Sequence, residues 1–153
     1  LISNLSSNSY PNVSLSITFV LLYFLFFSQQ LSILTSQRSV CQRLKVGCLL
    51  VKDNRLISQG YNGYLPKCPH IDILQNNHNI SIIHAEQNAI SDCAKRGVSC
   101  DLATAYITHF PCINCFKSLA ASGIIHIKYI NDYNNETEVL NLCQQANILI
   151  EKI

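Results

Sequence analysis

Charge is scarce in this chain. Only 13% of its 153 residues are Asp, Glu, Lys or Arg, the net charge is +2, and no basic run occurs. A nucleic-acid surface shows itself as a positive stripe or patch, so the composition argues against one. Basic residues are missing from the N-terminal end altogether, the first being Arg38. A secretory signal needs a cationic stretch ahead of its apolar one, and none precedes this one. The apolar stretch itself, Val13 to Phe27, is interrupted by Ser14, Ser16 and Thr18. It is shorter than the roughly 20 residues a spanning helix needs, so a buried first helix is expected and a membrane partner is not. Methionine is absent too, which leads us to expect a missing or unusual natural start. Internal repeats and low-complexity linkers are also lacking, and the length suits one domain with a real core. Residues 1–30 are therefore expected to form an atypical apolar segment, and residues 31–153 a single domain.

Cysteine, by contrast, is plentiful at eight residues. Such a count can signal a disulfide framework, but the chain is long and carries a metal-type CxxC. A reducing compartment, the cytoplasm, fits better, with some cysteines as ligands and others, such as Cys48 and Cys143, as small core residues.

Two apolar runs, Val46 to Val51 and Leu56 to Tyr61, flank Lys52-Asp53-Asn54-Arg55 and predict a β-hairpin. Residues Asn62 to Asn79 hold Gly63, Pro66, Pro69 and several asparagines, and read as a long loop of the functional kind. Ser81 is placed to cap a helix from about Ile82 to Arg96, stopped by Gly97. Ala103 to Thr108 alternates as a strand does, and Pro111 opens a helix through Ser122. A strand over Ile124 to Ile130, a helix over Glu136 to Ala146 and a short strand at Asn147 to Ile150 complete the pattern. A hairpin followed by alternating helices and strands predicts an α/β fold, a sandwich around one mixed sheet.

Within the first of those helices lies "HAEQNAI", His84 to Ile90. Positions i and i+2 face different ways on a helix flank, so the His84–Glu86 pair makes sense only if the helix end points at something. The stretch "THFPCINC", Thr108 to Cys115, supplies the object. Cys112 and Cys115 in CxxC spacing fall on one side of a helix start, where the helix N-terminus favours thiolates. With His84 they make three zinc ligands, which leave the fourth tetrahedral position open as in catalytic rather than structural zinc sites. Zinc there makes water acidic enough to act at neutral pH. Glu86 can then take a proton from water and deliver it to a ring and a departing amine. H-x-E followed by P-C-x-x-C is the zinc deaminase signature. His109 could line a pocket near this site, whereas His126, in a strand, reads as structural.

The resemblance extends further. "RSVCQRLKVGCLLVKDNRLISQGYNG" (Arg38 to Gly63), "IHAEQNAI", "AYITHFPCINC" and "SGIIHIKYINDY" resemble the deoxycytidylate (dCMP) deaminase family, in particular its bacterial branch of competence-operon proteins. The likeness covers roughly Leu34 to Ile150. It implies a cytidine deaminase-like fold, a three-layer α/β/α sandwich around one mixed five-stranded sheet. It implies hydrolysis of dCMP to dUMP and ammonia, supplying dUMP for thymidylate synthesis, with one catalytic Zn2+ on His84, Cys112 and Cys115 and Glu86 as proton shuttle. Asn62 in "GYNG" matches the residue holding the deoxyribose, and Tyr129 is placed like an aromatic beside the base. A nucleotide needs a phosphate partner, for which Arg38, Arg43 and Lys45 are candidates, bidentate geometry favouring an arginine. Relatives also carry a second, structural zinc near the long loop. Cys41 and His78 match two of its ligand positions, while Ile71 and Leu74 occupy the others; Cys68 and His70 are close enough to substitute, giving Cys41, Cys68, His70 and His78 as a set. Homo-oligomers are expected, with apolar faces on the last two helices permitting contact.

Other readings share parts of the pattern. A tRNA adenosine deaminase would be more basic, a free cytidine deaminase lacks the upstream block, and a riboflavin-pathway deaminase spaces its cysteines further apart. From another class, a catalytically inactive zinc-binding remnant would have no use for Glu86.

Overall fold

The computed structural model describes residues 13–76, 78–134 and 137–153, excepting the side chains of residues 13–19, 21 and 78. The beginning of the expected atypical segment, residues 1–12, lies outside them. The expected hairpin starts the sheet. β1 (Gly47–Lys52) and β2 (Arg55–Tyr61) are joined at Asp53 and Asn54, both with positive φ, 50° and 57°. Two such residues make the turn whose twist matches that of paired strands, and Asp and Asn tolerate it best after glycine. The long loop carries four two-residue strands: β3 (Gly63–Tyr64), β4 (Leu74–Gln75), β5 (His78–Asn79) and β6 (Ile82–Ile83). β3 pairs with β6 and β4 with β5.

This pairing shortens the next helix relative to expectation. Ile82 and Ile83 bond to the backbone of Tyr64 and Gly63, so α2 (Ala85–Arg96) begins after them with His84, not Ser81, as its N-cap. Gly97 ends it in the left-handed conformation at φ 66°, which costs a residue without a Cβ little. There follow β7 (Thr104–His109), α3 (Ile113–Ala121), β8 (His126–Asn131), α4 (Thr137–Gln145) and β9 (Leu149–Lys152). Each lies within a few residues of its expected place.

The main sheet has the order β2-β1-β7-β8-β9. β1 is antiparallel to both β2 and β7, whereas β7, β8 and β9 run parallel. Side chains alternate across it. Cys48, Leu50, Ala105, Ile107 and Ile127 face a core completed by Ala89, Cys93, Phe116, Leu119, Val139 and Cys143 of α2, α3 and α4. Leu49, Val51 and Tyr106 face the opposite way, onto Phe24, Leu25 and Leu31.

Those last three belong to α1 (Val13–Ser36), which forms the third layer. The helix runs unbroken through residue 30, so the boundary expected there falls inside it. Its seat on the sheet is set by small polar residues: Ser28, Ser32, Thr35 and Ser36 are buried. Ser32 Oγ donates to Gln29 O and Ser36 Oγ to Ile33 O, each at 2.7 Å, whereas Thr35 Oγ1 donates to Gln59 Oε1 of β2 at 3.2 Å. Gly47 lets the helix backbone approach, since a Cβ there would stand 2.2 Å from Ser32 O. Val20, Leu22, Tyr23, Phe26, Phe27 and Leu34 consequently remain exposed on the outer face. No helix among the described residues is long and apolar enough to cross a membrane.

Candidate active site

The starts of α2 and α3 meet beside the C-terminal end of β7. His84 and Cys112 are the N-cap residues of the two helices, both in extended conformation (ψ 155° and 162°) and neither spending its side chain on a cap. Their carbonyls already accept the first helical bonds, from Asn88 and Phe116 at 2.9 Å. Side chains at these positions project past the helix end instead of along its flank, which answers why His84 and Glu86 stand two apart. Cys115, the third residue of α3, folds back toward the same point.

His84 Nδ1 lies 3.7 Å from Cys112 Sγ and 3.3 Å from Cys115 Sγ. All three ligand atoms fall within 4.8 Å of one another. Ordinary zinc bond lengths at tetrahedral angles put nitrogen and sulfur about 3.6 Å apart, so these side chains fit the ion without rearrangement. Their electrostatics agree. The Cys112 thiol is pushed down to about 4, first by hydrogen bonding from Cys115 and also by that from His84. Cys115 moves up, through the same contact with Cys112 and through burial. His84 is raised by its contact with Cys112.

Glu86, the second residue of α2, is only 4% exposed. Burial raises its carboxyl above the ordinary range, opposed by its own backbone N–H, by His84 and by a contact to Cys115. A carboxyl brought nearer neutrality is suited to taking and returning protons. It opens onto a cavity of about 280 Å³ that His84, Cys112, Asn62, Arg43, His109 and Phe110 also line.

Asn62 lines this cavity, and its amide also clasps the approach to β1. Oδ1 accepts from Val46 N and Nδ2 donates to Leu44 O, both at 2.8 Å. One N–H and one lone pair are left over for a ligand. The arginine candidates separate: Arg43 lines the cavity, whereas Arg38 lies over the Tyr61 ring, 4.6 Å from its centroid. Tyr129 stands edge-on to Phe110 at 5.1 Å, and it is Phe110 that reaches the cavity wall. Of the expected second zinc set, His70 stacks on Tyr64 at 4.6 Å and Cys68 is exposed. Cys41 lines the cavity near His84. The His78 side chain lies outside the described residues. Among the described residues, only His84, Cys112 and Cys115 converge as a metal-ligand group.

Tyr133 and Asn134, beyond the end of β8, also line the cavity and were missed in the sequence. Their signal was topological: β8 runs parallel to β7, so residues following it arrive at the same sheet end as Cys112.

The family model for the cytidine and deoxycytidylate deaminase zinc-binding region matches residues 26–131. The chain belongs to this family. It is 40% identical over 124 residues to ComE operon protein 2 of Bacillus subtilis, covering 78% of this chain and 66% of that one. The deoxycytidylate deaminase of Saccharomyces cerevisiae is 28% identical, over 82% of this chain and 43% of the yeast protein. This deaminase-family chain thus spans less than two thirds of either relative. Among solved structures, the dCMP deaminase of cyanophage S-TIM5 in complex with dCMP and dUMP superimposes with a TM-score of 0.74 at 29% identity. It covers 94% of this chain and all of the phage chain. A zinc-binding family and three converging ligands agree on zinc as the metal.

Proposed function

We propose that the protein is a zinc-dependent hydrolase that deaminates dCMP to dUMP and ammonia. The carrying observation is Glu86, buried at the mouth of a three-ligand metal group and facing a cavity. A purely structural zinc site has no need of a buried carboxyl at this cost in desolvation. When bound, zinc activates water as the nucleophile.

The chain's own residues do the rest. Phe110 and Asn62 shape the cavity so that the cytosine ring enters toward Glu86, with the remaining amide capacity of Asn62 directed to the deoxyribose. Glu86 takes a proton from water and passes it to ring N3 as oxygen adds to C4. It then takes the remaining proton of the hydroxyl added at C4 and conveys it to the exocyclic nitrogen, whose bond to C4 breaks as the carbonyl forms, releasing ammonia. Arg43 reads the phosphate. The deaminases of Saccharomyces cerevisiae and cyanophage S-TIM5, named for this substrate, support the choice of nucleotide.

The proposal extends to assembly and place. The exposed apolar outer face of α1 suits burial against a second copy of the chain. None of the eight cysteines is paired in a disulfide, in keeping with a reducing cytoplasm. The test is loss of cytosine absorbance with zinc-loaded protein, comparing dCMP, deoxycytidine, CMP and dCTP. Preference for dCMP supports the proposal; inactivity toward all four, with zinc bound, refutes it and leaves a zinc-binding remnant.

A further inference from the structure

The cavity lining carries two chemically different groups of side chains. Glu86 is the one carboxylate among the described lining residues, and it stands beside the metal-ligand group. Around Arg43 the lining offers donors from three separate segments. Arg43 precedes β1, His109 ends β7, and Tyr133 follows β8. They touch in sequence: Arg43 Nη2 donates to Tyr133 Oη at 3.3 Å, and the Tyr133 ring stands edge-on to His109 with centroids 6.4 Å apart. Asp132, beside Tyr133 in the chain, is engaged by Lys152.

The protonation of His109 can be read from its neighbours. Thr108 Oγ1 accepts the Gly47 N–H at 3.1 Å. Thr108 is 3% exposed, so its hydroxyl proton must find an acceptor. His109 Nδ1, at 3.0 Å, is that acceptor. A ring nitrogen that accepts carries no proton, so the neutral imidazole bears its proton on Nε2. Burial keeps the ring neutral by lowering its pKa. Strand alternation puts His109 on the face of Ala105 and Ile107, the catalytic side of the sheet. With Nδ1 turned back to its own strand, the Nε2–H edge is left to the cavity.

We infer that His109 is a specificity-determining residue, which donates from Nε2–H to the 5′-phosphate of the substrate beside Arg43. Tyr133 acts as the positioning residue that holds the guanidinium in place. A phosphate dianion is all acceptor, and the lining offers it a guanidinium and an imidazole N–H, with Glu86 as its one carboxylate. The inference rests on the dCMP reading above.

Steady-state rates of the zinc-loaded protein on dCMP and on deoxycytidine, which lacks the phosphate, test it with His109→Ala and His109→Gln. Losing one hydrogen bond to a charged group corresponds to about a 10- to 100-fold rise in KM for dCMP. The kcat should stay within about twofold, and kcat/KM for deoxycytidine should not move. His109→Gln, which restores an N–H donor, should recover most of the loss. Equal losses on both substrates, or an unchanged KM for dCMP in His109→Ala, overturn the inference. Zinc content measured alongside separates a folding defect from a binding one, and the glutamine variant then decides: no rescue of dCMP over deoxycytidine overturns it. If the unaltered protein uses deoxycytidine as well as dCMP, the phosphate subsite falls while the deaminase stands. If it uses neither, the proposed function itself fails and takes this inference with it.

Discussion

Gly60 offers the sharpest test of how the fold holds the catalytic helix. It lies in β2 beneath α2, and a Cβ there would stand 2.2 Å from Ala85 O and 2.5 Å from Ala89 N. Ala85 sits between His84 and Glu86, so the clash strikes the peptide that carries both. Restoring ordinary contact separates strand and helix by about 1 Å, an overpacking worth about 1–3 kcal/mol. For a chain of this size that lowers Tm by about 5 °C. Zinc tolerates about 0.2 Å in its ligand distances, and a misplacement near 1 Å costs about 100-fold in rate. Gly60→Ala should therefore lose zinc affinity and most activity while remaining folded. Gly47→Ala is the control: its Cβ meets Ser32 O at the same 2.2 Å, but on the opposite face, against α1. It should lose comparable stability and keep its zinc. Chelator competition measures the affinity, and loss of dCMP absorbance measures the rate. If Gly60→Ala keeps both, the strand yields instead of the helix, and Gly60 does not seat the site.

Glu86→Gln should abolish turnover by about 100-fold or more while zinc stays bound, and retained turnover would remove Glu86 as the shuttle. The same change bears on stability. The folded-state pKa of Glu86 is raised, so the native protein binds more protons than the unfolded chain, and stability falls as pH rises from the unfolded pKa through the folded one. In zinc-free protein the Tm advantage of Glu86→Gln should accordingly grow as pH rises above the ordinary carboxyl range, and a constant difference would contradict the shift. Cys112→Ala should fail to retain zinc, as metal analysis after dialysis will show; full occupancy would break the ligand assignment. Asn62→Ala should raise KM for dCMP with zinc unchanged. It should also lower Tm by several degrees, because two part-buried backbone groups, Leu44 O and Val46 N, lose their partner.

How much was legible beforehand varied with the range of the interaction responsible. The hairpin was readable because Asp53-Asn54 is local turn chemistry. The metal group was readable because CxxC after a strand and HAE at a helix start are short patterns with one geometric outcome. The start of α2 was misplaced because Ser81 is a good local cap, and only the pairing of Ile82 and Ile83 with distant Gly63 and Tyr64 overrides it. The apolar stretch at Val13 to Phe27 read as atypical because its larger residues face both ways: Phe24 and Leu25 pack on the sheet, whereas Val20, Leu22, Tyr23, Phe26 and Phe27 are exposed. α1 turns Ser28, Ser32 and Ser36 inward and Phe26 and Phe27 outward, an arrangement set by the close approach at Gly47.

The sequence by itself determined the composition of the site: which side chains converge as metal ligands, which carboxylate stands beside them, and the order of strands and helices that presents them. These follow from near-neighbour spacing, where covalent geometry leaves few alternatives. The tertiary structure decided the shape of the pocket. It drew Arg43 into the cavity and laid Arg38 on Tyr61. It set Tyr129 against Phe110 and brought His109 and Tyr133 together across β7 and β8. Each outcome depends on which strand lies beside which, and no local pattern in the chain encodes that.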